Sequence, residues 1–284
     1  MAKAGKQLSA LRTVGTFLHG RACSDTLFHV LNRAFGQPLL DEEVAVPTFA
    51  GGIMQHGFQC GMLWGAALAA GAQAYRVHGP GPQAETSAVL AAQKLVRSFR
   101  AQTGPVNCVD ITDLDKSSTT MEMIKYFLIK GGSIGCFRMA AKYAPAAFEA
   151  IDSAVSAEET EIPPAPVSCA ALVARKLGES DLHTVMAAGL AGGIGLCGGA
   201  CGALGAAIWI NGLRCHREQG VDNLWKDEGF NARFADLMDR FLKQSGFEFE
   251  CAKITGRDFE NVGNHAAYLR DGGCAKIIEE LAAQ

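Results

Sequence analysis

Residues 51–65 read GGIMQHGFQCGMLWG and residues 192–206 read GGIGLCGGACGALGA. Gly51-Gly52-Ile53 precedes Cys60-Gly61 by the interval at which Gly192-Gly193-Ile194 precedes Cys201-Gly202, and Gly57 coincides with Gly198. Moving outward, Cys108-x-x-Ile111-Thr112-x-x-Asp115 is matched by Cys251-x-x-Ile254-Thr255-x-x-Asp258, and Gly131-Gly132 or Gly272-Gly273 leads into a further cysteine. Eight of the ten cysteines therefore fall into two quartets in the same order, Cys23, Cys60, Cys108, Cys136 and Cys169, Cys201, Cys251, Cys274. Self-similarity of this kind is a tandem duplication. A free cysteine is commonly only a small buried hydrophobe. That accounts for one matched position, but not for four in halves that otherwise diverge.

With 284 residues, 49% apolar content and 19% charge, the chain can bury two cores of ordinary domain size. A formal charge of -3 and the lack of basic runs interleaved with aromatics argue against a nucleic-acid partner. The N-terminal MAKAGKQLSALRTVGTFLHGRACS has no continuous apolar stretch ahead of a small-residue cleavage site, so it does not read as a signal peptide and a cytoplasmic protein is expected. Thiols are held reduced there, which favours metal binding or catalysis over a disulfide framework. Val185 to Ile210 is chargeless and long enough to span a membrane. Its counterpart carries Pro47, Gln55, His56 and Gln59, and glycine pairs interrupt both, so it reads as buried helix, turn and helix, with no membrane insertion expected.

Apolar residues recur at helical spacing, as in Leu27, Val30, Leu31 and Ala34, or Leu237, Phe241 and Leu242, while alternating strand patterns are scarce. The expected fold is all-α: two tandem homologous helical bundles, residues 1–150 and 167–284, packed face to face with pseudo-twofold symmetry as single-domain relatives would in a homodimer. The linker is 151–166, whose SAEETEIPPAP cannot continue a helix. Gly61 and Gly65, and Gly202 and Ala206, are four apart and leave one helix face open to another backbone.

The glycine-rich turns place Cys60 and Cys201 in a first helical turn. Ser133 and Asp271 read as N-caps that put Cys136 and Cys274 three positions later. A helix start presents unpaired N–H groups and partial positive charge, which lowers a thiol pKa and favours the thiolate that binds metals or attacks disulfides. His56 and Cys197 share a repeat position four residues before the second cysteine and are second-tier metal-ligand candidates. Cys215-His216 stands where copy one has Ala74 and Tyr75. Asp115 and Asp258 read as capping residues or as groups beside the thiols. There is no C-x-x-C pair, no haem attachment motif, and the formal match Gly193-x-Gly195-x-x-Gly198 lacks a dinucleotide site's preceding strand.

Each half resembles the redox-active family named for its C_GCAxxG_C_C pattern. The resemblance rests on Cys60-Gly61-Met62-Leu63-Trp64-Gly65 and Cys201-Gly202-Ala203-Leu204-Gly205-Ala206, with Met62 and Ala206 as departures, and it extends over nearly the whole chain. It implies small helical redox domains, fused here as a pair. A related domain occurs in split-Soret-type cytochromes, where an iron-sulfur centre has been suggested, so an iron-sulfur cluster held by the eight cysteines, with electron transfer to a redox partner protein, is the leading expectation. Two alternatives stay open: thiol-disulfide exchange with Cys60 or Cys201 as nucleophile, and thiolate carriage of zinc or copper. A homo-oligomer is possible on any of these readings.

Overall fold

The computed structural model describes residues 13–16, 22–157, 161–221 and 223–283; most of the N-terminal stretch read above lies outside them. The described residues are helical, without a β-sheet. In copy one the long elements are α1 (Cys23–Ala34), α2 (Gly61–His78), α3 (Pro82–Thr103) and α4 (Gly132–Val155). In copy two they are α5 (Cys169–Lys176), α6 (Asp181–Ala188), α7 (Gly202–Gln219), α8 (Glu228–Ser245), α9 (Val262–Arg270) and α10 (Ala275–Ala282).

Local chemistry sets the ends. Ser168, Ser180, Asp227 and Asn261 cap α5, α6, α8 and α9 by accepting a backbone N–H, at 3.1 Å, 3.2 Å, 2.6 Å and 2.9 Å. Pro82 opens α3, where its missing N–H costs nothing. α4 continues through Ile151 to Val155, past the expected start of the linker, because its apolar face, Ala147, Ile151 and Val155, is still buried there. Residues 158–160 of that linker lie outside the described set. Val185 to Ile210 is helix, turn and helix, and no helix among the described residues is long and apolar enough to cross a membrane.

Both glycine-rich turns have one unusual backbone. Gly51, Gly52, Ile53, Met54 and Gln55 all have positive φ, and so do Gly192, Gly193, Ile194, Gly195 and Leu196, giving each copy a left-handed helical turn. Gly57 N–H to the Gly51 carbonyl and Gly198 N–H to the Gly192 carbonyl, both 2.9 Å, close the two turns identically. A left-handed L-residue costs roughly 1–2 kcal/mol, and three stand in the first turn and two in the second. Gly52 and Gly193 cannot be replaced cheaply for a second reason: a Cβ there would lie 2.2 Å from the Phe58 carbonyl oxygen or 2.4 Å from the Gly199 amide.

The copies share one core. A Cβ on Gly65 would lie 2.0 Å from the Ser24 carbonyl, so the small face of α2 does receive another helix, α1. Between copies, Gly71 of α2 abuts Val185 and Met186, while Gly212, its counterpart on α7, abuts Ala45, the counterpart of Met186. At this contact the packing is reciprocal residue for residue. Trp64 fills the space left by Gly205, and buried Gln59 bonds across to the Gly193 carbonyl (3.0 Å) and the Ala200 amide (2.8 Å). A partly buried charge network adds to this. His183 of copy two sits 3.0 Å from Glu42 of copy one and 2.9 Å from Glu179, which Arg214 and Arg217 also bind.

Two predictions follow from these contacts. Gly193→Ala should destabilise the protein by more than Gly220→Ala, which has the same left-handed φ but open space around it; equal shifts in urea denaturation would contradict the steric account. The second concerns pH. Burial pushes the Glu179 carboxyl up, but His183 and Arg217 outweigh it and hold it at about 2, so its contribution is present above the ordinary value near 4.5 and lost as pH falls from there towards 2. Burial lowers His183, the carboxylates more than offset that, and the raised His183 loses its contribution as pH rises through its folded value. The stability difference between wild type and Glu179→Gln should therefore be largest between about 4.5 and 6.5 and shrink on both sides; a flat difference would sink this.

Candidate thiol centres

Secondary structure places the thiols. Cys23, Cys108, Cys169 and Cys251 are each the first residue of a helix, those after Asn107 and Glu250 being the short helices Cys108–Thr112 and Cys251–Thr255. Cys60 and Cys201 are the N-caps of α2 and α7. The second and third cysteines are tied by paired backbone. Cys60 N–H bonds Val106 O (2.8 Å) and Cys108 N–H bonds Phe58 O (2.7 Å), and Cys201 N–H bonds Phe249 O (2.7 Å) and Cys251 N–H bonds Gly199 O (2.6 Å).

The fourth positions differ from expectation. Gly131, in the left-handed conformation, is the N-cap of α4, so Ser133 lies inside the helix and Cys136 one turn in. Asp271 ends α9, and Cys274 itself is the N-cap of α10 with φ 60°. In both cases the glycine pair makes the turn, and a side-chain cap is redundant. Helix starts are thus more numerous than Cys60 and Cys201 alone; the Ser168-Cys169 and Asn107-Cys108 dipeptides carried that signal, since Ser and Asn favour N-cap positions.

Matched residues neighbour the sulfurs in the two copies, and two of these contacts are hydrogen bonds, Cys108 with Thr112 and Cys274 with Tyr268. The amides of Gly51 and Gly192, the first residues of the left-handed turns, pull the Cys23 and Cys169 thiols downward. Met62 N–H serves Cys60, and Leu204 and Ala203 N–H serve Cys201. Thr112 Oγ1 lies 3.9 Å from Cys108 Sγ, and Thr255 is the partner of Cys251. Tyr126 is the partner of Cys136, and Tyr268 Oη lies 3.9 Å from Cys274 Sγ. A Cβ on Gly132 or Gly273 would strike these tyrosine rings at 2.1 Å or 2.3 Å, so the glycine pairs are also what admits them. The tyrosines were missed in the sequence; a Tyr shortly before each Gly-Gly was the available signal.

Burial overrides the helix-start effect on ionisation. Desolvation, with mutual repulsion among the quartet, pushes Cys108 and Cys201 up to about 12 and Cys136 to about 11, and raises Cys169, Cys251 and Cys274. Cys60 rises furthest in copy one because it donates its proton towards Cys23 and is buried. Cys23 alone falls, held down by that bond. The lowered thiol expected at Cys60 or Cys201 is thus Cys23 instead.

Copy one opens a cavity of about 400 Å³ against Cys23, Cys108 and Cys136, with Cys60 buried behind them. Copy two's four thiols line about 10 Å³. Among the described residues no three of His, Cys, Asp and Glu are grouped to hold a single ion. The second-tier candidates are not drawn in: His56 packs on Phe249 of the other copy with ring centroids 4.9 Å apart, and Cys197 lies exposed near Arg97 and Arg100. Cys215 is buried in α7, 3.9 Å from Arg233 and apart from both quartets. Asp115 closes a turn by accepting from Ser117 N–H and Oγ at 2.8 Å and 2.6 Å.

No curated protein and no solved structure matches this chain. One family model matches it twice, "Putative redox-active protein (C_GCAxxG_C_C)", over residues 21–176 and 165–284, so the duplicated quartets are two copies of that family's motif. The chain belongs to the C_GCAxxG_C_C redox-active family.

Proposed function

We propose that each quartet binds an iron-sulfur cluster and that the protein transfers electrons. The observation that carries this reading is that both copies gather four cysteines with the same polar neighbours, backbone amides at the first and second, a threonine at the third and a tyrosine at the fourth. Four thiols share one buried site, and desolvation first, with repulsion among them second, raises them. Ionising all four requires a positive centre among them, and the charged residue lining the cavity against copy one's thiols is acidic Asp115. N–H and O–H groups directed at sulfur stabilise a cluster's negative charge and set its potential. The donor set fits: four soft thiols per copy suit a [2Fe-2S] or [4Fe-4S] centre. A single zinc ion would need its sulfurs at about 2.3 Å, and among the described residues no three candidate ligands are grouped for one ion. Cys23, Cys60, Cys108 and Cys136 would hold one cluster and Cys169, Cys201, Cys251 and Cys274 the other, each contributing a thiolate and releasing its proton on loading.

Thiol-disulfide exchange is favoured by one observation, the Cys23-Cys60 pair. Cys23 thiolate would attack a substrate disulfide, forming a mixed disulfide and releasing one thiolate; Cys60 would then displace the second, closing Cys23-Cys60. This reading makes Cys23 the nucleophile and Cys60 the resolving group.

Anaerobic purification should yield a coloured protein with matched iron and acid-labile sulfide, and Cys108→Ser should remove about half of both, leaving copy two's share. A colourless, iron-free protein in which Cys60→Ser traps a mixed disulfide on Cys23 would overturn the cluster in favour of exchange. Tyr268→Phe should leave the iron content unchanged and lower the reduction potential of copy two's centre, because a lost donor destabilises the more negative reduced state. An unchanged potential would remove Tyr268 from that role.

A further inference from the structure

The two centres share a donor set but not a cavity. A cluster held by the same four cysteines needs the same room in each copy, so copy two's thiols would have to part to admit one, and the contrast between about 400 Å³ and about 10 Å³ is not explained by it. The smaller space has barely the room for one water; the larger is the size of a small-molecule site. The difference has a local cause. In copy two, α9 is drawn inward by His265, whose Nδ1 lies 3.0 Å from Val167 O, and Phe259 packs on both His265 and Tyr268. In copy one, five residues rather than four separate the tyrosine from the second glycine, Tyr126 to Gly132 against Tyr268 to Gly273. The extra residue is absorbed in a π-helical turn, Lys125–Ile129, whose Phe127 lines the larger cavity.

Side chains on that turn change character between the copies. Where copy two has Gly263, Arg270 and Asp271, copy one has Met121, Leu128 and Ile129, which are 70%, 78% and 76% exposed. Large apolar groups left in water beside a cavity mark a binding surface. Inside, Leu114, Met123, Phe127 and Phe137 supply apolar and aromatic walls, Gln55 and Ser133 supply polar atoms, and the charge of Asp115 disfavours an anion.

We propose that the cavity of copy one binds a small, neutral, aromatic ring compound, admitted past the π-helical turn and seated against Cys23, and that copy two has no such site. The inference rests on the redox reading only for the ligand's purpose, as the exchange partner of copy one's centre. The left-handed turn forms one wall through Ala50, Gly51 and Gln55, which fixes the ligand relative to the sulfur that the Gly51 amide serves.

The test uses the full chain and the neutral fluorescent probe N-phenyl-1-naphthylamine. One probe should bind per chain. Ala50→Phe and Met123→Trp, each filling the cavity from a different wall, should weaken binding at least tenfold, with helical circular dichroism and cooperative melting showing that at least one of them still folds. The double variant Leu128→Arg, Ile129→Asp, which installs copy two's residues, should slow entry without abolishing binding. Binding that survives both filling variants but vanishes in the rim variant would overturn the inference, since the probe would then be held by the exposed rim; so would absence of binding. Iron and sulfide counted on the same samples separate the two readings. Probe loss with iron retained supports the pocket, and an iron-free protein with one-to-one binding overturns the cluster while supporting the pocket.

Discussion

The left-handed turn ahead of the second cysteine is the constraint on which both centres depend. Its five successive positive φ values reverse the chain between the preceding helix and α2 or α7. They also direct the first amide at the first cysteine, while the following residues pair with the strand-like segment that delivers the third. Left-handed isoleucine, methionine, glutamine and leucine are each unfavourable by roughly 1–2 kcal/mol. Backbone strain of this kind persists when surrounding structure over-determines it, and it gathers at functional sites. Ile53 and Ile194 are fully buried in the shared core, which is what holds the turns in place.

Once the turns bring four thiols together, electrostatics governs the chemistry. Helix N-termini favour thiolates, yet here the positive ends face sulfurs that have lost their water and repel one another, and desolvation is the larger effect for all but Cys23. In the resulting site every quartet thiol but Cys23 is raised, Cys60 first by its bond to Cys23 and the others first by burial. Copy two, closed by α9 and α10, presents such a site with no access; copy one presents it to a cavity. The copies differ by one residue between tyrosine and glycine pair and by three between glycine pair and fourth cysteine, and copy one's centre is open where copy two's is enclosed.

Much of this was legible in the sequence because it is carried by repetition. The duplicated glycines and cysteines located the quartets, the scarcity of alternating patterns gave the all-helical fold, and the spacing of Gly61 and Gly65 anticipated the approach of α1. What escaped was set by three-dimensional competition. Ser133 and Asp271 have the chemistry of N-caps, but adjacent glycines with left-handed backbone made the turn first. Lowered thiol pKa values follow from helix starts in isolation and are reversed by burial, which spacing cannot report. His56 and Cys197 share a repeat position, yet that position faces the opposite copy, so a coincidence that suggested ligation belongs to the interface.

On the proposed function the two thiol quartets hold polynuclear iron-sulfur centres. Iron K-edge X-ray absorption on anaerobically isolated protein addresses it directly, because it reports the atoms around the metal. The account predicts iron surrounded by sulfur alone with a second iron nearby; nitrogen or oxygen ligands, isolated iron, or an iron-free protein would contradict it.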